Sequence, residues 1–80
     1  MNLTDLTQTE INKEQAADLH EIYADSERVV VLTDSDEIAC GYFEIQQDGT
    51  YYVISERNEL ITESRDEAAQ WLFDHWIKYL

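Results

Sequence analysis

Ile38-Ala39-Cys40-Gly41-Tyr42-Phe43-Glu44-Ile45-Gln46-Gln47 and Thr50-Tyr51-Tyr52-Val53-Ile54-Ser55 are two runs of strand-forming residues joined by Asp48-Gly49. An Asp-Gly pair between β-branched and aromatic runs is a strong hairpin signal, because a two-residue type I′ loop needs φ > 0 at both central positions. Read as that loop, it sets a register in which Gln47 opposes Thr50, Ile45 opposes Tyr52 and Phe43 opposes Ile54. These pairs form one face of the hairpin. Gln46 with Tyr51, Glu44 with Val53 and Tyr42 with Ser55 form the other.

Working outward, Arg28-Val29-Val30-Val31-Leu32-Thr33 reads as a preceding strand, and Asp34-Ser35-Asp36-Glu37 as the turn that folds it onto Ile38. With Thr33 opposite Ile38, Val30 and Leu32 join the first face and Val29 and Val31 the second. A first helix is expected over Lys13 to Ala24, with Asn12 as N-cap, Gln15 completing a capping box and Ala16, Leu19, Ile22 and Tyr23 on one face. A second is expected over Arg65 to Tyr79, started by a capping box of Ser64 and Glu67 and carrying a broad apolar arc of Ala68, Ala69, Leu72, Trp76, Tyr79 and Leu80. Trp71, Phe73 and Ile77 flank that arc. Met1 to Glu10 reads as an arm or a single helical turn, and Leu60-Ile61-Thr62 as a short extended piece. The expected fold is α+β: a single domain over 1–80 with a three-stranded antiparallel sheet flanked by N- and C-terminal helices (α-β-β-β-α), both helices on one face.

Composition narrows the function classes. An apolar content of 44%, with two Trp, five Tyr and two Phe, is too high for a disordered chain. Eighteen Asp and Glu stand against five Lys and Arg, a net charge of −13. That balance repels nucleic-acid phosphates and anionic lipid alike, so the expected partner is a basic protein, with no direct nucleic acid or membrane contact. Cys40 is the only cysteine, which leaves no internal disulfide and no cysteine-based zinc site within one chain. With no apolar run long enough to span a bilayer and no basic n-region, a soluble, cytoplasmic protein is expected.

Motifs for chemistry are missing. His20 and His75 belong to neither an H-x-x-x-H nor an H-E-x-x-H pair, the spacings that place two imidazoles one turn apart on a helix. Gly41 and Gly49 fit no phosphate-binding fingerprint. Cys40 reads as a small buried hydrophobe, and no third group orients it against a histidine. The expectation is a protein that is not an enzyme and has no cofactor and no metal.

The carboxylates are the patterned feature. Glu10, Glu14, Asp18, Glu21 and Asp25 recur at three- and four-residue spacing, which on a helix stacks them about 6 Å apart. That resembles the spacing of phosphates along a nucleic-acid strand. Asp34, Asp36 and Glu37 form a second group, and Glu56, Glu59, Glu63, Asp66 and Glu67 a third. Such a distribution suits a DNA mimic directed at a basic nucleic-acid-binding protein. Tyr42, Glu44 and Tyr51, on the second sheet face, are the other candidate contacts.

Asp48-Gly49-Thr50-Tyr51-Tyr52-Val53-Ile54-Ser55-Glu56, with the opening Met1-Asn2 and Asp5-Leu6, resembles the small acidic phage-encoded anti-CRISPR inhibitor of type II-A Cas9. The match covers roughly Asp48 to Glu59. The resemblance implies an N-terminal helix, a three-stranded sheet and C-terminal helices, with function as a mimic that occupies the basic PAM-reading site of Cas9. It points to Asp34, Asp36, Glu37, Glu56 and Glu59 as contacts. Trp76-Ile77-Lys78-Tyr79 stands where that family places a further helix. The competing expectation is a small bacterial interaction or regulatory domain, homodimeric through helix 65–79 or the outer sheet face.

Overall fold

The computed structural model describes residues 2–80. Its sheet has five antiparallel strands in sequential order: β1 (Thr7–Asn12), β2 (Arg28–Thr33), β3 (Ala39–Ile45), β4 (Tyr51–Ile54) and β5 (Glu59–Thr62). Helix α1 (Lys13–His20) lies between β1 and β2, and α2 (Arg65–His75) follows β5. The expected three-stranded sheet is therefore corrected to five strands. The segment read as an N-terminal arm is a 3₁₀ turn, Leu3–Asp5, followed by edge strand β1, and the extended piece after the hairpin is edge strand β5.

The two helices also lie on opposite faces, not on one. Val30, Leu32, Phe43, Ile45 and Val53 point to the first face, where Ala68, Ala69, Leu72, Phe73 and Ile77 close the main core with Leu6. Val29 and Val31 point to the second face, where Ala16 of α1 meets them within a ring that includes Ile11, Ile22 and Ala24. The run Val29 to Leu32 is buried at every position, as a strand covered on both sides must be. Gly41 permits the close approach of α2: a Cβ there would lie 3.2 Å from Leu72 Cδ2.

Register explains where side chains went astray. Val30 opposes Phe43 and Val29 opposes Glu44, two residues from the expected pairing. An offset of two leaves every side chain on its face. At the next hairpin the offset is one: Ile45 opposes Tyr51 and Glu44 opposes Tyr52. A one-residue slip exchanges the faces, so Tyr51 and Val53 enter the core while Tyr52 and Ile54 turn to the second face. Tyr51 meets Phe43 edge-on with ring centroids 5.8 Å apart.

The cause lies in the turn. Of Asp48 and Gly49, Gly49 alone has positive φ, at +88°. The Gly49 N–H donates to the Gln46 carbonyl at 3.0 Å and the Gln46 N–H to the Thr50 carbonyl at 2.8 Å. This is a three-residue loop, a type I turn closed by a left-handed residue. Asp48 holds it by accepting the Thr50 N–H at 3.0 Å and the Thr50 hydroxyl at 2.6 Å.

The β2–β3 turn repeats the geometry: Glu37 N–H donates to the Asp34 carbonyl, Asp34 N–H to the Ile38 carbonyl, and Glu37 has φ +63°.

Helix ends follow their caps. Asn12 Oδ1 accepts the Gln15 N–H at 2.8 Å and Gln15 Oε1 accepts the Asn12 N–H at 3.2 Å, the expected capping box. Glu21 turns left-handed, at φ +58°, and α1 stops at His20 instead of Ala24. Ser64 Oγ accepts the Glu67 N–H at 3.2 Å and starts α2, but the Ser64 N–H donates to Thr62 Oγ1 at 3.1 Å instead of to Glu67, so half of the expected box forms, and the helix ends at His75, short of the expected Tyr79.

Candidate functional site

Because α1 has only eight residues and packs over β1 and β2, the second sheet face is covered on one half only. On the open half, Ile54 of β4 is 51% exposed and Ile61 of β5 is 60% exposed. Tyr52 lies between β3 and β5 on this face, opposite Glu44 on one side and Ile61 on the other. Its hydroxyl donates to Glu59 Oε2 at 2.8 Å. Glu44 is 7% exposed and accepts the Ser26 N–H at 2.7 Å, a bond that ties the loop after α1 to the sheet.

The electrostatics of this face have one sign. Burial and the Glu44 and Asp25 carboxylates push the Tyr42 phenol above its ordinary value. The hydrogen bond to Glu59 does the same for Tyr52, reinforced by burial and by the charges of Glu59, Glu44 and Asp25. A negative neighbour disfavours a phenolate.

Strands β3 and β4 pair only at Ile45–Tyr51 and Glu44–Tyr52 and then separate. Between them opens an apolar notch of about 320 Å³, with Gly41 and Tyr42 on one wall, Ile54 and Ser55 on the other, and Leu72 of α2 and Trp76, the residue just past its end, as its floor. That volume is near the lower end of the roughly 300–1,000 Å³ typical of ligand pockets. Glu56 stands at the rim.

The predicted acidic stripe does not survive as a stripe. Glu10 is on β1 and forms an ion pair with Arg28 at 2.9 Å, Glu21 is the left-handed residue after α1, and Asp25 is in the following loop. Glu14 and Asp18 alone remain on the helix. Asp34 is occupied in its turn, its Oδ1 accepting the Asp36 and Ile38 N–H groups at 2.9 and 3.0 Å. Asp36 and Glu37 are exposed at the tip. Glu56 and Glu59 border the notch and the open face, where Tyr42, Glu44 and Asp25 join them. Tyr51 does not, since it packs into the main core.

Sequence reasoning missed Tyr52, Ile54 and Ile61 as members of this face. A correct three-residue loop would have supplied the first two. Trp71, Phe73 and Ile77, which flank the apolar arc of the helix expected as a dimer contact, pack in or against the core.

His75 and Cys40 make contacts of their own away from this face. His75 stacks on Trp71 at 4.3 Å and its Nδ1–H donates to the Trp71 carbonyl at 2.9 Å. The Cys40 thiol lies 3.6 Å from the Ile38 carbonyl, and burial pushes its pKa up, with Asp34 adding to the effect. Among the described residues, no group of three or more His, Cys, Asp and Glu is placed to hold a metal ion, and no helix is long and apolar enough to cross a membrane. No family model, curated protein or solved structure matches the chain.

Proposed function

We propose that this protein is a non-enzymatic acidic inhibitor that binds the basic nucleic-acid-binding surface of another protein. The observation carrying this reading is the unneutralised charge. Among the described residues, only two of the eighteen carboxylates have a basic partner, in the pairs Lys13–Glu27 and Arg28–Glu10. Both pairs lie at the β1–β2 end of the molecule. Charge kept unpaired at this density destabilises the fold through self-repulsion and accelerates encounter with a cationic surface.

The five-stranded sheet departs from the three strands that the anti-CRISPR resemblance implies, so the partner class rests on charge rather than on that resemblance. Type II-A Cas9 is one member of the class, alongside restriction and repair enzymes of phage or mobile-element conflict. The test is capture from a bacterial lysate on immobilised protein at about 50 mM salt, with elution at about 500 mM. Nucleic-acid-binding proteins should dominate the eluate, and duplex DNA should compete them off. An eluate no richer in such proteins than that from an unrelated acidic protein of equal net charge overturns the proposal.

A further inference from the structure

We infer that the notch between β3 and β4, with the open sheet face beside it, is a docking site for a segment of a basic protein that inserts one apolar side chain flanked by Lys or Arg. The inference rests on the charge reading above and adds where the partner sits and what anchors it. The notch supplies the anchor position: it is apolar, floored by Leu72 and Trp76, and of a size for one branched or aromatic side chain.

Carboxylates surround that position. Glu59 is the cross-strand partner of Ile54, which places their Cβ atoms about 5 Å apart. Glu56 is at the rim. Glu44 shares the face with Ile54 across Tyr52, nearly buried and in neither of the ion pairs found among the described residues. Its Oε1 accepts the Ser26 N–H within the fold, so Glu44 adds negative field to the site, while the exposed Glu56 and Glu59 are the carboxylates a cationic side chain can reach. Every charge that raises the two phenols is negative.

Charge also decides between occupants. A second copy of this chain docked by a two-fold axis would set the Glu44, Glu56 and Glu59 group against its own image, with −13 on each side. A basic segment meets the same groups with opposite sign. The apolar anchor gives such a segment a fixed position that diffuse attraction to an acidic surface does not.

The experiment is an NMR titration of the full chain with two probes, acetyl-Lys-Lys-Leu-Lys-Lys-amide and its Leu→Ala analogue, at about 20 mM salt. The leucine peptide should bind up to about ten-fold more tightly, from burial of its extra apolar surface. The largest shifts should fall on the Gly41, Ile54 and Ser55 amides and the Trp76 indole. Ile54→Glu should abolish the difference between the peptides although it adds negative charge.

Equal affinity for both probes, with shifts spread over Glu14, Asp18 and Asp36, overturns the notch and leaves the charge reading standing. No binding of either probe overturns both. Concentration-dependent shifts at the notch without peptide make the occupant a second copy and overturn the inference. The peptide comparison requires no variant, so it decides the matter even if Ile54→Glu does not fold.

Discussion

Glu37→Gly should make this protein more stable. Glu37 occupies, in the β2–β3 turn, the position that Gly49 occupies in the β3–β4 turn, and both have left-handed φ, at +63° and +88°. An L-residue held there costs about 1–2 kcal/mol. Glycine removes that cost and returns roughly 0.5–1 kcal/mol of it through the greater freedom of its unfolded chain. The net gain is about 0.5–1 kcal/mol, which for a domain of this size raises Tm by roughly 2–8 °C. Loss of a charge beside Asp34 and Asp36 also stabilises, so Glu37→Gln, which keeps the side chain but not the charge, is the reference. Thermal and urea unfolding of the three proteins give the comparison. A glycine variant no more stable than the glutamine variant would refute the shared turn geometry. The mirror substitution Gly49→Ala should cost a net of about 0.5–1 kcal/mol by the same balance, and since a Cβ there meets no atom within 4 Å, the backbone alone sets that cost.

Further outcomes follow from the same geometry. Asn12→Ala removes one half of the α1 capping box and should cost about 1 kcal/mol in urea unfolding. Leu72→Ala, at a position 1% exposed beneath the notch, should cost about 2–5 kcal/mol. Raising salt from about 20 to 200 mM should raise Tm, because the −13 charge repels itself and screening relieves it. Tyr42 and Tyr52 hold their protons more tightly folded than unfolded, so above the ordinary value of 10.0 the folded state binds more protons and stability falls as pH rises. Glu59→Gln should bring the Tyr52 titration back toward that value, read by ultraviolet absorbance.

What the chain reveals without its structure depends on how strongly one face is buried. Val29 to Leu32 declared a strand and its two faces, and a pairing error of two residues there did no harm. The Asp48-Gly49 turn was visible, but its loop length was set by Asp48 bonding to Thr50, a side-chain choice that residue identity alone leaves open. That single residue of register moved Tyr52 and Ile54 out of the core and with them the open face. Strand β1 carries Thr7, Thr9 and Ile11 in alternation, a faint period-two signal on an edge strand with little to bury. The acidic stripe looked helical because its spacing was helical, and the left-handed Glu21 ended the helix before the stripe was complete. Opposite placement of the helices follows from α1 being inserted between neighbouring strands while α2 returns from the far edge, a matter of topology that appeared only once β1 and β5 joined the sheet.

We propose that this acidic surface competes with nucleic acid for a basic groove. The most direct measurement of that competition is the anisotropy of labelled duplex DNA bound to the captured nucleic-acid-binding protein while this chain is titrated in. Release of the DNA is expected, with the midpoint shifting upward by about ten-fold or more between about 50 and 300 mM salt. DNA that stays bound while this chain joins a ternary complex, or a midpoint indifferent to salt, would contradict the proposal.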